Sequence, residues 1–280
     1  MNPLIRLSHM ELSIDAKRGR SSERIISWPI MQDRTQWPVR VQFRTRICLS
    51  PKGPNPLGLA SSGIPALDKI MVDGFPDRSA VLTVGAPGLG KEAVGYWFTC
   101  SGLAQGDFCL YVTKRSVPEV LKDVKAYGVD FATRVPFWIA REGGELKCTV
   151  DDLASLSFNI KDVLKKNEGR RIRVVLDVLS PLLMLNPPET IYRFLGSLLE
   201  EVKRYDSVLL ASVEDGMHQP QTVIAMQEQF DGVLEFRLFE EGLRLTPLLR
   251  IRKMLGMQAQ PGYFSFKFSS TGMEISAYAR

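Results

Sequence analysis

The segment Gly85-Ala86-Pro87-Gly88-Leu89-Gly90-Lys91-Glu92 decides how this chain is read. It follows the pattern G-x-x-x-x-G-K-[ST] at every position but the last, where Glu92 replaces the hydroxyl residue. Glycines in such a loop let backbone N–H groups close around a phosphate, and Lys91 is placed to reach the terminal phosphates. A helix starting near Lys91 would aim the positive end of its dipole at the same point. The missing Ser or Thr hydroxyl is the group that holds Mg²⁺ in loops of this kind. The chain thus carries a nucleotide cradle with an altered metal position.

The flanking sequence supplies the context the loop needs. Residues 80–84 form a short apolar strand running into the glycines, and residues 92–104 read as a helix. Further strands are expected at 108–113, 137–140, 173–177 and 207–213, with helices at 118–127, 150–166 and 188–204. Residues 232–239, 242–252 and 263–268 are strand-like and joined by tight turns. The alternation predicts an α/β fold: a mostly parallel central sheet flanked by helices, with an antiparallel C-terminal extension. Asp177 closes the strand Arg173-Val174-Val175-Leu176-Asp177, where a second acid of a nucleotide site would hold Mg²⁺ through water. Glu214, Asp215 and His218 follow another strand and should also reach the carboxyl edge of the sheet. Trp97 and Phe98, on the helix after the loop, are expected in the core.

Charge divides the chain. Residues 1–53 hold 10 Lys and Arg against 4 acids, whereas the remainder has 26 basic and 27 acidic residues. The stretch Ser50-Pro51-Lys52-Gly53-Pro54-Asn55-Pro56-Leu57-Gly58 is a linker by composition. Residues 1–57 therefore read as a basic, partly disordered N-terminal extension, and residues 58–280 as the globular domain. Within the extension, Val39, Val41, Phe43, Thr45 and Ile47 alternate with Arg40, Gln42, Arg44 and Arg46, as in a strand with one basic face. That strand could dock on a neighbouring sheet, and the basic residues between 17 and 46 could track nucleic acid with Trp28 and Trp37 as stacking groups. Cys48, Cys100, Cys109 and Cys148 show no metal-binding spacing and read as reduced thiols. No apolar run approaches the ~18 residues of a membrane span, and Arg6, His9, Glu11 and Asp15 interrupt any signal-peptide core. A soluble, cytoplasmic protein is expected.

Several motifs together resemble the KaiC-like ATPases of the RecA superfamily. Ser62-Gly63-Ile64-Pro65-Ala66-Leu67-Asp68 is similar to that family's opening motif, followed in order by the loop, the Cys109-Leu110-Tyr111-Val112-Thr113 strand and the Asp177 strand. Leu249-Arg250-Ile251-Arg252-Lys253-Met254-Leu255-Gly256 resembles its strand bearing a K-M-R-G motif. The resemblance implies a RecA-like fold, ATP and Mg²⁺ as ligands, and assembly with similar domains. It also implies one or two catalytic glutamates after the 110–113 strand, where this chain has Lys114 and Arg115, with Glu119 five residues on. Lys253 matches the family's Lys that reaches a neighbouring subunit's phosphate, but the companion Arg position is Leu255. Metal hydroxyl, water-orienting acid and trans Arg are thus all replaced. The expectation is a degenerate, pseudo-ATPase-like member acting as a regulatory or scaffolding subunit, against an active ATPase completed by a neighbour or a DNA-recombination accessory protein.

Overall fold

The computed structural model describes residues 58–71, 73–129, 131, 137–139, 152–258, 260–269 and 272–278. The chain divides into two units, Met1–Arg46 and Ile47–Arg280, and every described residue belongs to the second. The expected strand at 39–47 and the basic face at 17–46 lie outside the described residues.

The elements run β1 (Leu59–Ala60), α1 (Pro65–Ile70), β2 (Phe75–Pro76), β3 (Ala80–Gly85), α2 (Glu92–Gln105), β4 (Phe108–Thr113), α3 (Val117–Ala126) and β5 (Phe137–Ile139). They continue with α4 (Leu153–Lys166), β6 (Ile172–Asp177), α5 (Leu179–Leu185), α6 (Pro188–Arg204), β7 (Ser207–Glu214) and α7 (Pro220–Gln229). The last strands are β8 (Gly232–Glu241), β9 (Arg244–Met254), β10 (Phe264–Ser269) and β11 (Gly272–Ala277). Among the described residues nine strands form one sheet in the order β11-β10-β9-β8-β3-β7-β6-β4-β5. From β5 to β8 the neighbours are parallel; β8 to β11 are antiparallel.

Both faces of the parallel portion are covered, as its near-continuous apolar strands require. Leu82, Val174, Leu176, Leu209 and Ala211 meet α4, α5, α6 and α7 on one face. Val81, Val175, Leu210 and Leu234 meet α1, α2 and α3 on the other. Helix α2 is buried from Ala93 through Gly102 and carries apolar side chains all round, so it acts as a central pillar rather than a surface helix. Trp97 and Phe98 are core residues, as the sequence reading holds. The short helices α1 and α5, helix α7, and strand β11 were not expected. The three helices bury only two to four side chains each, and β11 buries one, on a hairpin with β10, so none of them carries a strong apolar pattern.

One charged residue anchors the pillar. Arg173 on β6 is fully buried, and its guanidinium lies over the Phe98 ring. Its Nε donates to Asp107 at 2.6 Å, one terminal nitrogen donates to the carbonyls of Ser61 and Phe98, and the other donates to Gln105. A buried charge is tolerable only when paired and hydrogen-bonded in this way. The guanidinium ties the C-terminal half of α2 to the opening loop and to the turn into β4. Gly102 makes room for it: a Cβ there would stand 2.4 Å from Arg173 Cδ and 2.7 Å from Cys109 Sγ. Gly102→Ala should therefore cost about 1–3 kcal/mol in denaturant unfolding. Gly196→Ala, whose Cβ meets only the flexible Gln229 amide at 3.3 Å, should be neutral or stabilising. Equal effects of the two substitutions would contradict this packing.

Candidate functional site

The loop occupies the carboxyl edge of the sheet, between β3 and α2. Gly88 and Gly90 take left-handed φ values of 82° and 75°, which turn the backbone around the cradle. Among the described residues, the N–H groups from Gly88 through Glu92 donate to no protein acceptor, and the first that does is Ala93, to Gly90. Five donors without protein acceptors at the N-terminus of a 14-residue helix are the groups that an anion-binding cradle requires. The expected phosphate positions Gly85, Ala86, Pro87, Gly88, Leu89 and Gly90 are therefore brought together as one loop, with Phe268 and Tyr127 walling Gly90.

Lys91 is not held open toward that cradle. Its side chain is fully buried, with Nζ 2.7 Å from Glu92 Oε1 and 2.6 Å from Glu214 Oε2. Glu214 arrives there because β7 lies beside β3 in parallel register, which sets Glu214 opposite Gly85. The backbone N–H of Glu214 takes a 2.8 Å bond to Ser180 Oγ, which fixes this end of β7 against α5. A single ammonium is thus matched by two carboxylates. Sequence reading placed Glu214 at the sheet edge and missed its role, which depends on a partner 123 residues away.

Asp177 sits one strand further along. It accepts hydrogen bonds from Ser212 Oγ at 2.8 Å and Thr113 Oγ1 at 3.3 Å. Burial pushes its pKa up to about 6, and the nearby Glu92 carboxylate adds to the rise. A narrow cleft lined by Thr83, Lys91, Glu92, Tyr111, Asp177 and Ser212 joins the two acids. Glu92 and Asp177 are hard oxygen donors that suit Mg²⁺, an ion usually held by one or two carboxylates together with phosphate oxygens. Among the described residues no group of three or more His, Cys, Asp or Glu side chains is arranged to hold a metal by itself. The residues present therefore fit a phosphate cradle, and fit Mg²⁺ only as a partner of that phosphate.

The remaining positions are committed elsewhere. Arg115 donates to Tyr96 Oη at 3.1 Å and pairs with Asp123 at 2.6 Å, while Lys114 is exposed. Glu119 accepts from the backbone N–H and hydroxyl of Ser116 at 2.8 and 2.6 Å, capping α3 rather than facing the cleft. Lys253 Nζ donates to the carbonyls of Glu228 at 3.0 Å and Gln227 at 3.4 Å, at the C-terminal end of α7. It pairs with Val233, itself level with Leu82, so it lies roughly 10 Å back along the strands from Gly85. It does not reach the loop of its own chain. Leu255, in the position of the family's Arg, is exposed. Burial lowers the pKa of His218, against the opposing pull of the Glu214 carboxylate.

The family described as "ATPase: KaiC" matches residues 60–279. The chain belongs to the KaiC ATPase family. Within it, a UPF0273 protein of Methanopyrus kandleri is 27% identical over 233 residues, covering 77% of this chain and 90% of the relative. A UPF0273 protein of Thermotoga maritima is 25% identical over 238 residues, covering 76% and 94%. The crystal structure of a KaiC-like protein from Pyrococcus horikoshii superposes with a TM-score of 0.65 at 19% identity, covering 79% of this chain and 99% of that one. That likeness establishes the RecA-like fold expected from the sequence. Family membership implies nucleotide and Mg²⁺ binding in general terms. No helix among the described residues is long and apolar enough to cross a membrane.

The raised pKa of Asp177 has a definite sign. The folded state holds this proton more tightly than the unfolded chain, so the contribution is greatest below about pH 4 and is lost as pH rises through about 6. In chelator, the unfolding free energies of the wild type and Asp177→Asn should diverge between pH 4 and 7, on the order of 2 kcal/mol in favour of Asn at the upper end. Parallel pH curves would contradict the assignment.

Proposed function

We propose that this KaiC-family domain is a regulatory or scaffolding subunit whose ATP-hydrolysing machinery is degenerate, with weak or no turnover. The observation that carries the reading is the closure of Lys91 on Glu92 and Glu214. A triphosphate entering the cradle meets five backbone donors but no available ammonium. It also meets three acids, Glu92, Glu214 and Asp177, against one lysine. Repulsion between unit charges 4 Å apart is about 4 kcal/mol at an effective dielectric of 20, equivalent to roughly a thousandfold in affinity. Mg²⁺, when bound between Glu92, Asp177 and the phosphates, would supply the missing positive charge. Hydrolysis further needs a base to orient water. Lys114 and Arg115 are cations, and Glu119 is spent on its helix cap.

A second reading, an ATPase completed by a neighbouring subunit, draws on the unspent N–H groups of the loop. In that case Glu92 takes the metal role. Lys253 is released from the α7 carbonyls to contact a neighbour's phosphate, and the partner is a similar domain.

The two readings separate on titration with a fluorescent ATP analogue, with and without Mg²⁺, followed by turnover. The wild type should bind Mg·ATP weakly and release no phosphate above background. Glu92→Thr should bind it at least tenfold more tightly, because it removes a charge and restores the hydroxyl. Micromolar wild-type affinity with measurable turnover, unimproved by Glu92→Thr, would overturn the proposal in favour of the second reading.

A further inference from the structure

Beyond the phosphate loop, the β8–β9 ribbon carries a second concavity of about 610 Å³, within the size range of small-molecule sites. It is lined by Arg237, Arg250, Ile251, Arg252, Pro261 and Gly262, and none of these is acidic. It lies on β9, two strands from β3, so roughly 10 Å separates it laterally from the loop's own strand.

The arginines are held by a buried carboxylate. Glu235, opposite Arg250 in the ladder, is 7% exposed at its side chain. One of its oxygens accepts from Arg237 Nε at 2.9 Å and pairs with an Arg237 terminal nitrogen at 2.6 Å. The other accepts from Arg250 Nε at 2.8 Å and also contacts an Arg250 terminal nitrogen. Arg250 is further immobilised over the Tyr263 ring, 5.0 Å from its centroid. One guanidinium would suffice to neutralise Glu235. The second leaves a net positive charge, and Arg252 adds another.

Arg252 stands where the β8–β9 ladder slips. Val233 pairs with Lys253 and Leu234 with Ile251, which leaves Arg252 as the extra residue of a β-bulge. Such bulges re-aim side chains and occur preferentially beside functional sites. Among the described residues Arg252 makes no ion pair. Three guanidiniums therefore line one concavity. Two of them are oriented by Glu235 through Nε and one terminal nitrogen, with the other terminal nitrogen unspent, and these four side chains together carry a charge of +2. Guanidinium forks match phosphate oxygens in bidentate geometry, and fixing them beforehand reduces the entropy lost on binding.

We propose that Arg237, Arg250 and Arg252 form a binding site for a ligand carrying two or more linked phosphates, separate from the loop at Gly85–Lys91. The same chemistry can come from a free oligophosphate or from the backbone of single-stranded nucleic acid.

The test is an amide ¹H–¹⁵N NMR titration of the full chain with inorganic tripolyphosphate and, separately, with an eight-residue oligothymidine. Amides of Ile251, Arg252 and Gly262 report the concavity; those of Gly88 and Gly90 report the loop, so failure at one site is distinguishable from failure at the other. Saturable shifts at Ile251 and Gly262 are expected. Arg252→Gln, an exposed bulge substitution that leaves Glu235 paired, should weaken them about tenfold or more through loss of a charge-assisted bond. Tighter binding of the oligothymidine than of tripolyphosphate would identify nucleic acid as the source, and the reverse order a free oligophosphate. Absence of shifts at Ile251 and Gly262 with both ligands, or shifts insensitive to Arg252→Gln, would overturn the proposal.

Discussion

Much of this site follows from where one ammonium group finds its counter-charge. A phosphate loop places a lysine at the mouth of a helix, where the helix dipole and the loop N–H groups already favour an anion. Ser or Thr at the next position would add no carboxylate to that lysine's surroundings. Here Glu92 supplies one from the same turn and Glu214 another from β7, and the side chain of Lys91 is fully buried between them. A fully buried ammonium is tolerable only if so paired. The carboxylates stabilise the buried ammonium and, on the proposed reading, oppose an incoming phosphate. Glu92 cannot be read as a neutral substitution for a hydroxyl.

The surrounding architecture holds this arrangement in place. Parallel pairing of β3 with β7 brings Glu214 level with Gly85, and Ser180 secures the backbone at that point. Helix α2 sets the position of Glu92, and α2 is itself fixed at its other half by the buried Arg173 network. The two buried cations therefore act at opposite ends of the same helix. One has its hydrogen bonds shared among four acceptor groups. The other has two carboxylates, each only about three-quarters buried, and one of them, Glu92, lines the cleft.

Much of the fold was legible because its strands are short apolar runs separated by helices of ordinary periodicity. Strand β4 and helix α6 fall at the expected residues, and β3, α2 and β7 end one residue beyond. The loop could be read because its chemistry is contiguous. What escaped reading depends on distance in the chain. Glu214 meets Lys91 only because the strand order is not sequential, and the burial of Arg173 depends on partners from three other segments, the loop before α1, helix α2 and the turn after it. The bulge at Arg252 is a property of register between β8 and β9, which residue types alone do not specify. Glu119 illustrates the opposite case: Ser116 and Glu119 have capping-box spacing, a local signal that accounts for the acid without catalysis.

The central claim is that Lys91 is engaged from within the chain. The most direct measurement is the unfolding free energy of Lys91→Met against the wild type at pH 7. Internal pairing predicts a loss of about 3 kcal/mol or more, because two carboxylates are left facing each other without a cation. A Lys91→Met chain as stable as the wild type at pH 7, or more so, would contradict the account.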